Sequence, residues 1–245
     1  MGNLIHAEFS RIIRNTLCRI VLFAAAGIGL IFSLTSGFQQ RYSGSYLLLK
    51  AFGSSMIPGL CCSFLLAFFI GSDFENRTVN HSLAAGYSRN VIVFSRFFTY
   101  IIASAAIIAV YPVMRCLGGC LRNGWGAPWP ESLPFIGTAF LLCLLATLAG
   151  VSEFAAFAFL FRSTGGSMAA GIVITLGRVM IQNMICPHHP GFAQIYNKTP
   201  MMLAVGITQN ALTPANCLQV VVISFIVIVS SFAVCLLLSR RRDFR

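Results

Sequence analysis

Six long apolar stretches, separated by short polar segments, constrain this chain more than any other feature. They run 20–36, 52–71, 97–114, 133–161, 167–185 and 217–238. A helix that crosses a bilayer takes about 20 residues. Six of them leave no room in 245 residues for a sizeable soluble domain. Only 9% of the residues are charged, against about 25% in an average soluble domain, which excludes an ordinary globular enzyme. The expected fold is all-α and polytopic, a single unit over 1–245. It comprises an N-terminal interfacial helix (1–19), spans one to five (20–185), a re-entrant outer segment (186–216), and a sixth span with a basic tail (217–245). The fourth stretch is long enough to tilt, or to break near Gly150. The first is longer than the apolar core of a signal peptide, and no Ala-x-Ala-like site follows it.

The bases set the expected orientation. Arg11, Arg14, Arg19, Arg77, Arg89, Arg96, Arg162, Arg240, Arg241, Arg242 and Arg245 fall on one side of a six-span arrangement. Arg41, Lys50, Arg115, Arg122 and Lys198 fall on the other, and Arg178 lies within a span. The excess of bases marks the cytoplasmic side, so both termini are expected inside a cell membrane. Attraction to anionic lipid accounts for this charge without any nucleic-acid partner.

Leu4, Ile5, Phe9, Ile12, Ile13, Leu17 and Ile20 recur at helical spacing, with Asn3, Ser10, Arg11, Arg14 and Asn15 on the other face. That pattern predicts an amphipathic helix in the membrane interface, serving as an anchor for the first span or as a lever against a partner. After the second span, Ser72-x-x-Glu75 reads as a capping box with Asp73 in the first turn. Gly86 reads as the helix stop, and Ser88 as the cap of the next helix. The spacing predicts one helix of about three turns between two spans. Phe74, Arg77 and His81 share one side of it, and Val79 and Leu83 share another. An aromatic residue among mixed charges suits a protein contact.

The order acid-aromatic-acid at Asp73-Phe74-Glu75, then Arg77-Thr78, then Gly86-Tyr87-Ser88-Arg89, resembles the type-2 ATP-binding-cassette transporter permeases. The tail Arg240-Arg241-Arg242-Asp243-Phe244-Arg245 is similar too, as is the sequence of amphipathic helix, six spans and long last outer loop. Members usually read Glu-x-x-x-Gly-Thr in this loop, and here Arg77 replaces the Gly. The resemblance implies a non-catalytic membrane subunit of an exporter, paired with a second permease subunit, identical or paralogous. A separate cytoplasmic ATPase subunit would carry ATP and Mg²⁺ and dock on Asp73, Phe74, Glu75, Arg77, Thr78 and His81. Relatives of about this size confer peptide-antibiotic immunity, so the implied cargo is an amphipathic peptide or a lipid-like compound.

The chain has no phosphate-binding loop of its own. A Walker A motif needs Gly directly before Lys, but Leu49 precedes Lys50 and Asn197 precedes Lys198. It therefore offers no cofactor site in the usual manner. His-Glu-x-x-His is absent, and His6, His81, His188 and His189 all lie outside the spans, which argues against an intramembrane protease. His188-His189 lies between Pro187 and Pro190 with Cys186 nearby, and adjacent ligands held by prolines rarely converge on one ion, so no metal site is expected. Of nine cysteines, Cys18, Cys61, Cys62, Cys143 and Cys235 read as small apolar residues. Cys116, Cys120, Cys186 and Cys217 lie near the outer boundary, where one disulfide has room to form.

Glu153 and Arg178 stand out as ionisable groups well inside spans. At about 1.5 Å per residue from the turn at 162–166, Glu153 lies roughly 13 Å up one helix and Arg178 roughly 18 Å up the next. Burying either alone costs about 3 kcal/mol or more, so the two are expected to pair, as a fixed register or as a polar lining of a substrate path. The rival to an ATP-driven permease is an ATP-independent secondary transporter or channel, which needs acids in the membrane for ion coupling. Cysteine-accessibility labelling checks the topology. His81 and Arg245 should react from one side and Trp125 from the other, and labelling of His81 and Trp125 from the same side overturns the six-span count.

Overall fold

The computed structural model describes residues 2–36, 42–53, 56–76, 78–126, 129–209 and 213–241, and every regular element among them is helical. Arg77 and the tail beyond position 241 lie outside the described residues. Twelve helices succeed one another: α1 (Gly2–Arg14), α2 (Thr16–Ser36), α3 (Gly44–Gly53), α4 (Met56–Leu66), α5 (Ser72–Glu75), α6 (Thr78–Ala84), α7 (Arg89–Asn123), α8 (Trp129–Phe161), α9 (Thr164–Met180), α10 (Pro190–Tyr196), α11 (Pro200–Gln209) and α12 (Pro214–Arg241). Single π-helical turns, Ala67–Gly71 and Ile181–Ile185, extend α4 and α9. Six helical segments are long and apolar enough to cross a membrane, and the chain is an all-α polytopic membrane protein.

Each expected span has its helix, and the third is longer than the apolar pattern. It grows from 97–114 to the 35-residue α7, because its polar ends are packed by other elements. The fourth is a continuous helix through Gly150. Gly150 is small for another reason, since a Cβ there would stand 3.3 Å from Arg178 Nη1.

Close helix packing fixes the arrangement. On α4 and α9, Gly59 abuts Thr175, Gly171 abuts Ser63, and Gly71 meets the Ser163–Thr164 backbone, so the two helices run antiparallel. A Cβ on Gly171 would approach Ser63 Oγ to 2.4 Å. On α2 and α7, Gly29 meets Tyr111 and Ser33 meets Gly118, a parallel pairing. Small residues permit this approach where lipid supplies no hydrophobic drive for helix association. The core, including Leu65, Phe69, Tyr100, Ile108, Phe154 and Phe159, lies among α4, α7 and α8. α2, α9 and α12 bury little of their apolar surface within the chain. Phe94 and Phe97 near the start of α7 pack on Phe232 near the end of α12. These residues, α1, α5, α6 and the α8–α9 turn gather at one end of the bundle, its basic end.

α3 precedes the second span and takes in its first expected residue, Phe52. It packs on α7 at the far end, where Gly44 contacts Cys120 and Gly119 contacts Leu47. α7 thereby holds Arg115 buried, with its guanidinium carbon 5.9 Å from the Tyr111 ring centre. All nine cysteines are free thiols, and the Cys116 and Cys120 sulfurs stand 3.9 Å apart on successive turns.

Between α9 and α12 the chain folds back into the bundle. The Tyr196 hydroxyl at the end of α10 donates to the Arg178 carbonyl, 3.1 Å away. The Met201 sulfur at the start of α11 is 3.9 Å from Arg178 Nη1. One turn further, Cys143 Sγ donates to the Ala204 carbonyl at 3.4 Å. Along α8, Cys143 is about 10 Å farther from the basic end than Gly150, so α10 descends toward mid-bundle and α11 climbs back.

Candidate functional site

Two clusters of polar side chains are built into this apolar frame. The first joins four elements at the basic end. α1 turns Leu4, Glu8 and Ile12 inward at four-residue spacing. Leu4 packs with Val79 of α6 and Ile92 of α7, and Ile12 joins the main core. Glu8, between them, is carried into a charge network. Asp73 of α5 is its centre, at 2% exposure. Arg11 donates to both Asp73 oxygens, through Nη1 at 3.1 Å and through Nη2. Arg11 also pairs with Glu8 at 3.2 Å. Arg96 of α7, at 1% exposure, places Nη1 2.7 Å from Asp73 Oδ2 and Nε 3.9 Å from Glu8 Oε1. These Arg96 contacts are ionic rather than directed hydrogen bonds. The Thr78 hydroxyl donates to Asp73 Oδ1 at 2.8 Å. Two acids and two bases thus neutralise each other where a lone charge would be costly. Burial raises the Glu8 pKa, against the pull of Arg96 and Arg11.

This network corrects the reading of the loop. No capping box forms, because span two continues unbroken through its π turn into α5, so there is no helix N-terminus at Ser72 to cap. Ser72 Oγ donates back to the Phe68 carbonyl at 2.6 Å. Glu75 instead accepts from the Thr164 amide at 2.9 Å and from the Thr164 hydroxyl at 2.6 Å, supporting the start of α9. A turn at Asn76 splits the expected single helix into α5 and α6. The stop at Gly86 forms as read. Its φ is +85°, its amide donates to the Leu83 carbonyl, and the Tyr87 amide donates to the Ser82 carbonyl, which is the Schellman pattern. Ser88 occupies the N-cap position of α7 without a side-chain cap bond.

The residues expected to face a partner are consequently dispersed. Asp73 and Thr78 point into the network. Phe74 packs edge-on against Phe159, with centroids 5.4 Å apart, and the Arg162 guanidinium lies over its ring at 5.7 Å. It is half-buried, and its packed side is turned to the bundle. Glu75 is exposed but bound to Thr164, while His81 faces outward with Ala84, Ala85 and Gly86. Glu8 and Arg96 were missed as members of any site. The signal available was the scarcity of acids: six in the chain, with Glu8 three residues from Arg11.

The second cluster is the expected intramembrane pair. Arg178 forms an ion pair with Glu153 and donates through Nη1 to the Gly150 carbonyl at 3.0 Å. The guanidinium carbon lies 5.8 Å from the Phe154 ring centre. The pair borders a cavity of about 360 Å³, whose other walls include Tyr196, Lys198, Met201, Ile223 and Val227. Lys198 sits in the turn between α10 and α11, and its ammonium has no acidic partner among the described residues. His188 and His189 lie in the turn before α10, and no cluster of three metal-ligating side chains occurs among the described residues.

No protein-family model matches this chain, and no curated protein matches its sequence.

The pair has a measurable coupling. Arg178→Ala should lower thermal stability by leaving Glu153 without its cation. Adding Glu153→Gln should restore part of the loss, with an interaction energy of about 1–3 kcal/mol. Strictly additive losses in detergent melts would contradict the pairing.

Proposed function

We infer that this chain is the membrane subunit of an ATP-driven exporter, resembling the type-2 ATP-binding-cassette permeases, set in the cell membrane with both termini in the cytoplasm. In this reading a cytoplasmic ATPase subunit supplies ATP and Mg²⁺ chemistry, and a second permease subunit completes the path. Cargo is an amphipathic peptide or lipid-like compound, as in export or immunity systems for peptide antibiotics. The observation that carries the inference is the wiring of the α5–α6 loop. Asp73 ties it to α1 and α7, and Glu75 ties it to α9. A push on the exposed surface of α6 therefore reaches two membrane-crossing helices and the interfacial helix through short polar contacts. A solvated connector has no need of a charge network this deeply buried.

α1 fits the same reading. Its inward stripe is fastened to the loop and α7, while Phe9 and Ile13 remain exposed, beside Arg14. An apolar stripe beside bases suits the headgroup boundary of a bilayer, so this helix links the membrane surface to the docking loop. A secondary transporter is less well supported. Glu153, its one candidate for ion coupling within the spans, is neutralised by Arg178.

The docking face in this account consists of His81, Ala84, Ala85 and Gly86, with Phe74 behind it. Ala84→Arg should weaken ATPase retention about tenfold or more, which corresponds to about 1.4 kcal/mol, with the melting temperature unchanged. Phe74→Ala should act first on stability, by removing packing against Phe159. The measurement is co-purification of an ATPase with the full chain under gentle detergent, alongside thermal melts. Undiminished retention in Ala84→Arg would remove this face from the account, and absence of any ATPase with the wild-type chain would count against the function itself.

A further inference from the structure

The far end of the bundle holds a buried cation that the chain leaves without a counter-charge. Arg115 of α7 is 5% exposed, and its Nε is sealed from solvent with no hydrogen-bond partner. It forms no ion pair among the described residues. Glu8, Asp73 and Glu75 serve the opposite end, and Glu153 is taken by Arg178. One turn before Arg115 on the same face, Tyr111 is fully buried, and its hydroxyl also lacks a partner. The Arg115 guanidinium carbon lies 5.9 Å from the Tyr111 ring centre. Its charge reaches the hydroxyl without a hydrogen bond between them. Two buried donors with nothing to donate to therefore stand side by side.

Arg115 does not relieve this burial by reaching for the membrane surface. Its side chain turns back over Tyr111, while α7 runs on beyond it to Asn123, about 12 Å at 1.5 Å per residue. Along that stretch Leu117 and Leu121 are exposed and apolar, as suits contact with lipid chains. Arg115 thus stands at hydrocarbon depth, where a lone charge is costly. Its surroundings also limit what can supply the missing charge. A Cβ on Gly29 of α2 would stand 2.8 Å from the Tyr111 carbonyl, and one on Gly118 would stand 2.7 Å from Ser33. A Cβ on Gly119 would stand 2.8 Å from Leu47 of α3. Helices pressed this closely beside the site leave room for a monatomic ion but not for a lipid headgroup or a polyanion. A water molecule would accept from the donors and leave the charge unanswered.

We propose that Arg115 and Tyr111 form a binding site for a small monovalent anion of the halide class, with chloride as its ligand in a cell. The guanidinium supplies the charge and an Nε–H donor, and the phenol O–H supplies a second donor. A halide is singly charged and weakly hydrated, so it gives up its water at less cost than sulfate or phosphate. Bound there, the ion balances the charge of Arg115 and fastens α7 where α2 and α3 meet it. The site is a property of this chain alone and stands whether or not an ATPase binds elsewhere.

Thermal melts of the full chain in neutral detergent provide the test, with sodium chloride exchanged for sodium gluconate at constant ionic strength. The melting temperature should rise saturably with chloride, as for a ligand that binds only the folded state, and bromide should substitute for it. Chloride-35 NMR reads the binding directly, as line broadening by the protein that added bromide reverses. Arg115→Met should abolish both signals. Tyr111→Phe, which removes only the hydroxyl, should weaken the chloride response about tenfold, corresponding to about 1.4 kcal/mol, and it decides the matter if Arg115→Met fails to fold. Lys50→Gln, which removes an exposed base on α3, should change neither signal. Equal melting in chloride and gluconate would overturn the proposal, as would an unaltered chloride response in folded Arg115→Met or Tyr111→Phe. Sulfate or phosphate acting as well as chloride would overturn the assignment to a small monovalent ion.

Discussion

The Asp73 carboxylate is the contact on which the basic end of this protein depends. It belongs to the short helix at the end of the second span, yet its partners come from α1, α6 and α7. Removing it would leave Arg96 buried in an apolar setting with only the more distant Glu8 as partner, and an uncompensated buried charge commonly costs about 3–5 kcal/mol. Hydrophobic contacts alone would permit α1 to slide along the bundle, since Leu4 and Ile12 meet broad apolar surfaces. The bidentate grip of Arg11 on Asp73 fixes its register, because a forked guanidinium accepts few orientations of a carboxylate.

The same logic recurs at mid-bundle with a different result. Arg178 is satisfied by Glu153 and the Gly150 carbonyl, and the absence of a side chain at Gly150 makes room for it. Folding α10 and α11 back into the bundle then places the Tyr196 hydroxyl and the Lys198 turn beside that pair. Irregular backbone at this depth is tolerated where protein or a polar cavity surrounds it. One end of the molecule therefore uses charge to lock elements together, and the middle uses it to line a space.

Much of the architecture was legible from composition and periodicity. Apolar runs of span length leave few alternatives, and the prolines at 187, 190, 200 and 214 mark the re-entrant segment. The Glu153–Arg178 pair was legible because two lone charges in apolar helices have few other ways to be satisfied. The loop after the second span was misread in physical detail. Ser72-x-x-Glu75 is a capping box only where a helix begins, and local sequence does not reveal that the preceding span runs on through a π turn. Phe74 was read as a partner contact because its neighbours are charged, but those charges are already paired within the chain, Asp73 inside the bundle with Arg11 and Arg96, and Glu75 at the surface with Thr164. Arg96 read as one more base at a membrane boundary, and only the long-range contact with Asp73 distinguishes it.

The central claim is that Asp73 holds the interfacial helix to the loop and to α7. A spin label at the exposed position 13, introduced as Ile13→Cys in an otherwise cysteine-free full chain, reports the motion of α1 by electron paramagnetic resonance. The account predicts a restricted spectrum when Asp73 is present and a mobile one in Asp73→Asn, with the membrane helices still folded. Equal restriction in both proteins would show that apolar packing alone positions α1, and would contradict the account.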